Sequence, residues 1–155
     1  MRSTNDVDFV VDLMPQHIRP LIDALGTEFD VDEESLAEAI EHRRSLNIFS
    51  ATAVKIDLFV AGFTAWEREQ FKRTRTASLI DSEPSTIVLP CPEDTVVAKL
   101  IWYRKGGEVS DRQWSDILNV LRVQAGSLDL EHMRRWARNN DVHELLERAL
   151  AATAG

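Results

Sequence analysis

The sequence predicts an α/β (α+β) chain: a short mixed sheet with helices in the N-terminal half, followed by an all-helical C-terminal part. Three observations predict it. Short runs alternating polar and apolar residues recur up to Leu89, as half-buried strands require. After Pro90 no convincing strand remains, and apolar residues recur at helical spacing. The length, 155 residues, suits a single domain of ordinary size that buries a core without staples. The expected organisation is an α/β core over 1–90 and a helical region over 91–155 packed on it.

Asp6, Asp8, Val10 and Asp12 share one face at period two, and Val7, Phe9 and Val11 share the other, which predicts a first strand with one wet face. Pro15 can start a helix whose stripe is Ile18, Leu21, Ile22 and Leu25, with Gly26 as the stop. Phe29–Val31 reads as a short strand. Asp32 caps a helix running to about His42 with Leu36, Ala39 and Ile40 inward. Leu46–Ala51 and Val54–Val60 read as two strands joined by a tight turn. Trp66 to Lys72 is a short helix, and Thr74–Ile80 and Thr86–Leu89 are further strands. Pro92 opens a helix carrying Val96, Val97, Leu100 and Ile101, ended at Lys105-Gly106-Gly107. Ser110 and Gln113 fit a capping box before a stripe of Trp114, Ile117, Leu118 and Leu121. Asp129 caps a helix with Met133, Trp136 and Ala137, and Val142–Leu150 makes the last one.

Composition excludes several classes. Lys plus Arg is 18 against 26 Asp plus Glu, for a net charge of −8. Such a chain has no global field for gripping a phosphate backbone. Cys91 is the lone cysteine, which excludes an internal disulfide and the paired-cysteine zinc patterns and suits a reducing compartment. No apolar leader opens the sequence, and no apolar run approaches the ~18 residues of a membrane helix. The expectation is a soluble, cytoplasmic protein with no membrane partner.

The chemistry-bearing feature is Asp6-Val7-Asp8, two carboxylates on one strand face. A third acid, Asp57, stands in Lys55-Ile56-Asp57-Leu58-Phe59-Val60, where Lys55, Asp57 and Phe59 face one way. If the two strands are neighbours, three carboxylates converge, and their repulsion calls for a cation. Mg²⁺ (or Mn²⁺) prefers carboxylate oxygens and keeps positions open for phosphates. Taken alone, a D-x-D is commonly a solvated strand end. An Asp between Ile and Leu is an odd choice for solubility alone and shifts the balance toward a metal site.

These residues resemble a family. The run Arg2-x-Thr4-x-Asp6-Val7-Asp8-Phe9-Val10, followed by the strand around Asp57, is similar to the nucleotidyltransferase superfamily of the DNA polymerase β type, and to its small bacterial AbiEii-like branch. The helical run Pro92-Glu93-Asp94-x4-Lys99-Leu100-x-Trp102-Tyr103-Arg104, then Gly106-Gly107-Glu108-x-Ser110-x-x-Gln113-Trp114-x-Asp116-Ile117, resembles the tail of uncharacterised members of that branch. The resemblance spans nearly the whole chain. It implies transfer of a nucleoside monophosphate from an NTP to a hydroxyl of an RNA end, a protein or a small molecule. It also implies Asp6 and Asp8 as metal ligands, Asp57 as third ligand or base, and Lys99 on the nucleotide phosphates. Toxin–antitoxin pairing with an antitoxin partner is part of the same implication. One departure stands out. The family's Gly-Ser or Gly-Gly helix, which cradles phosphates upstream of the D-x-D, is absent, since five residues precede Asp6. The expectation is either a longer product that carries this helix or an N-terminally shortened core, with exposed apolar surface near Val7, Phe9 and Ile56 favouring self-association. The alternative is a non-catalytic binding module that keeps the fold.

The remaining features have plainer readings beside their functional ones. Lys99 is equally a solvated helix lysine. Arg68, Lys72, Arg73 and Arg75, interleaved with Glu67 and Glu69, read as a solvated surface. Gly106-Gly107 reads as a helix end. Trp102, Trp114 and Trp136 read as core, and Cys91 as a small buried residue. Four scattered histidines show no H-x3-H pairing.

Overall fold

A computed structural model describes residues 6–78 and 86–154, with the Asp6 side chain outside that description. The chain divides into two compact units, Met1–Glu67 and Arg68–Gly155. The change of secondary structure at Pro90 thus lies inside the second unit.

The first unit is mixed α/β. Strand β1 (Asp6–Val11) leads through a 3-10 turn (Pro15–His17) into helix α1 (Ile18–Leu25). Strand β2 (Phe29–Asp30), helix α2 (Glu33–His42), strand β3 (Ser45–Ser50) and strand β4 (Lys55–Val60) follow, and helix α3 (Ala65–Lys72) begins at the unit's end. The sheet order is β1-β4-β3-β2, with β1 parallel to β4 and the other pairs antiparallel. Asp32 starts α2 by accepting from the Ser35 amide at 2.8 Å, which satisfies one orphan donor of the first turn. The β3–β4 turn closes when the Ser50 amide donates to Val54 O at 2.9 Å.

Strand alternation gives the sheet two unlike faces. One carries Ile48, Leu58 and Val60, all buried. Val60 joins Leu36, Ala39 and Ile40 of α2 in a core flanked by Ile18, Leu21 and Ile22. Val7 and Phe9 share that face but sit on the edge strand, each 44% exposed, and Ile56 beside Val7 is partly covered. The apolar exposure expected at Val7 and Phe9 is therefore present. Arg43, in a left-handed conformation at φ 50°, ties the far ends of the parallel strands. Its Nη1 donates to Leu13 O at 2.9 Å and to Ala61 O at 3.1 Å.

The second unit pairs strands β5 (Thr74–Ser78) and β6 (Thr86–Pro90) in an antiparallel ribbon. Helices α4 (Pro92–Lys105), α5 (Asp111–Val123), α6 (Leu130–Asn139) and α7 (His143–Ala151) follow. Leu79 and Ile80, expected at the end of a strand, lie outside the described residues. The Ser110 hydroxyl accepts from the Gln113 amide at 3.2 Å and Asp129 from the His132 amide at 2.9 Å, so both predicted N-caps are used. Leu100, Ile117, Met133, Leu145 and Leu146 are wholly buried in this unit. Trp136 is core as expected. Trp102 is not: it is 52% exposed, with the Lys105 ammonium 4.8 Å from its ring centre. The buried side of α4 is taken by Val96, Val97, Leu100 and Tyr103, and Trp102 turns away from them. No helix among the described residues is long and apolar enough to cross a membrane.

Candidate functional site

The wet face of the first unit's sheet carries two of the predicted acids, Asp8 and Asp57. In the parallel register Asp8 lies opposite Asp57, and Asn47 of β3 lies opposite Asp57 on the other side. Side chains level with one another on adjacent strands share a face, and the strands lie about 4.8 Å apart. Three oxygen-bearing side chains therefore stand in one row across three strands. The next row is Asp6, Lys55 and Phe49. The Asp6 side chain lies outside the described residues.

Asp8 is exposed, whereas the Asp57 side chain is only 15% exposed. The two Asp57 oxygens differ. Oδ2 accepts from the Lys55 ammonium at 2.7 Å. Oδ1 is buried and accepts no hydrogen bond. An unpaired buried carboxylate oxygen is costly, so it marks a place where another positive or donating group fits. Asn47 was not singled out in the sequence. Its signal was the strand pairing, which alternation alone does not reveal.

A divalent cation fits this row in its donor chemistry. Hard oxygen donors of Asp8, Asp57 and Asn47 share the face, and one of those oxygens lacks a partner. Among the described residues, no three His, Cys, Asp or Glu side chains by themselves make a metal cluster.

Lys99 lies in the second unit on α4. Its ammonium is 3.9 Å from Asp116 of α5, and both side chains are half-exposed. An ion pair this open contributes little to stability.

A second charged cluster sits within the second unit, and there the basic-surface reading needs correction. Arg73 turns inward from the expected solvated patch. Its Nη2 is 3.8 Å from Glu93 and its Nε 3.9 Å from Asp94. Asp94 is 0% exposed and accepts from His132 Nε2 at 2.7 Å. Glu93 Oε1 accepts from the Asp129 amide at 3.0 Å. Buried first-turn acids on α4 thus hold the start of α6, which explains the Glu93-Asp94 pair structurally. Burial works against the Glu93 carboxylate, but the amides of Asp129 and of Glu93 itself, the Cys91 side chain and the Arg73 charge hold its pKa below the usual value. The Cys91 sulfur, with the two carboxylates, raises that of Arg73. Burial pushes the Cys91 thiol up, so it is a packed residue rather than a nucleophile.

No family model, no curated protein and no solved structure matches this chain.

Proposed function

We propose that the chain is a divalent-cation-dependent protein of the nucleotidyltransferase type, transferring a nucleoside monophosphate from an NTP to an acceptor hydroxyl. The observation that carries this reading is the level pairing of Asp8 with Asp57 on parallel strands, with one Asp57 oxygen unpartnered. Asp6, Asp8 and Asp57 hold Mg²⁺ or Mn²⁺ in this reading. The cation, when bound, offsets the triphosphate charge. The acceptor oxygen attacks the α-phosphorus, the bond to the bridging oxygen breaks, and pyrophosphate leaves. The hydroxyl proton passes to a carboxylate, the role that the resemblance gives to Asp57. Lys99 meets nucleotide phosphate by resemblance, and the acceptor is an RNA end, a protein hydroxyl or a small molecule. The lone reduced Cys91 suits a cytoplasmic setting.

A second reading, a binding module without catalysis, is favoured by one observation. Lys55 already neutralises Asp57, which lowers its need for a cation.

A thermal-shift titration with Mg²⁺ or Mn²⁺ and each NTP separates them. Ligand at 100 times its Kd adds about 2.7 kcal/mol, a rise of several degrees at roughly 2–4 °C per kcal/mol. The nucleotidyltransferase reading expects a shift that needs both metal and nucleotide and is lost in Asp8→Asn. No shift with any NTP favours the binding module. Lys99→Met is expected to weaken the nucleotide response and leave the response to metal alone.

A further inference from the structure

We propose that the outer edge of β1 docks a strand from a basic protein or peptide segment, with Lys or Arg level with Asp8 and Asp12 and apolar residues between them. The inference does not rest on the cation reading above.

β1 ends the four-stranded sheet, so one of its edges has no neighbouring strand. Val11 O accepts from the Ala61 amide at 2.9 Å, just past the end of β4, and so points to the β4 side. Backbone groups alternate in direction along a strand, so those of Asp8 and Val10 point to the open edge. Such a row is a template for another strand. Its side chains decide which one. Val7 and Phe9 are half-exposed on one face, and Val10 is 55% exposed on the other. Acids alone would protect an edge from chance pairing. The three open apolar side chains add contact area that only a neighbour would cover.

Asp8 and Asp12 are exposed on the face of Val10. Arg43 is 3.8 Å from Asp12, but it already donates to two carbonyls. These acids speak against a second copy. A two-fold antiparallel pairing that keeps the apolar faces together must centre on one residue. Centred on Asp8, it sets Asp8 against its own copy. Centred on Val10, it sets Asp8 against Asp12, and centred on Phe9 it sets position 6, another Asp, level with Asp12. Like charges opposite one another destabilise a strand pair, and opposite charges stabilise it. Each copy also carries a net charge of −8. A strand with basic residues four apart meets both acids and lays its apolar residues beside Phe9 and Val11.

The probe is the peptide acetyl-VKVTVKV-amide, whose pattern reads the same in both strand directions. It is titrated into the full chain without divalent metal, with acetyl-VEVTVEV-amide as control, and binding is read by the anisotropy of a terminal dye. The lysine peptide is expected to bind saturably, and severalfold more weakly to Asp8→Asn/Asp12→Asn. The glutamate peptide is expected to bind at least tenfold more weakly than the lysine peptide. No saturable binding of the lysine peptide, or equal binding of the two, overturns the proposal. Sedimentation of wild type and Phe9→Lys is expected to give equal masses. A dimer lost in the variant makes this edge a self-interface and overturns the proposal as well. Should the variants fail to fold, residue-resolved amide exchange on wild type decides. Saturating lysine peptide is expected to slow the Asp8 and Val10 amides, and unchanged exchange at both overturns the proposal.

Discussion

Asp94 shows what one side chain can be asked to hold. It is wholly buried, bonded to His132 and close to Arg73. Removing Asp94 leaves buried His132 without its partner and takes from Arg73 one of its two nearby carboxylates. Asp94→Ala is therefore expected to cost about 3–5 kcal/mol, read as a lower urea midpoint. Glu93 gives the pH dependence. Its folded pKa is held below the unfolded carboxylate value, near 4.3 for a free Glu. Its contribution is present above the unfolded pKa and is lost as pH falls through the folded one, because the unfolded chain binds the proton first. Urea midpoints measured from pH 6 down to pH 3 should fall more steeply for wild type than for Glu93→Gln. At this scale the sequence was partly legible. Alternation put Asp8 on the wet face of its own strand and Lys55 with Asp57 on one face of theirs, and only the strand pairing brings them onto a common face. Arg73 was misplaced because its neighbours Arg68, Lys72 and Arg75 look like surface, and nothing local announces buried acids some twenty residues on. Trp102 was misplaced because helical spacing gives a stripe but not which side of it the bundle covers.

Elements start and stop where local chemistry says they should. Asp32, Ser110 and Asp129 each accept from an amide three residues on, which is why these starts were readable in the sequence. Ser110→Ala is expected to cost about 1 kcal/mol, visible as a lower melting temperature. Pairing of elements was less readable. The parallel junction of β1 with β4 depends on strand order, and no residue of either strand encodes its partner. Arg43 bears on that junction directly, through the carbonyls of Leu13 and Ala61. Arg43→Met is expected to speed amide exchange in β1 more than in β3, measured by hydrogen–deuterium exchange, since β3 keeps two neighbours in the sheet.

At the scale of the whole chain, two compact units carry different chemistry. The carboxylate row belongs to the first, and the Arg73–Asp94–His132 group, with Asp94 wholly buried, to the second. Saturating Mn²⁺ without nucleotide is therefore expected to slow exchange in β1 and β4 and to leave α5–α7 unchanged. Slowing confined to the helices would remove the row as the cation's location. The parallel pairing has a last consequence, in time rather than in space. β3 and β4 are joined by a tight turn and can zip locally, on the microsecond scale of hairpins. β1 must close a loop spanning α1, β2, α2 and β3 before it meets β4, and long closures come late in folding. Asp57 and Lys55 are thus side by side before Asp8 arrives. The nascent hairpin therefore carries the Lys55–Asp57 ion pair before β1, and Asp8 with it, docks beside β4.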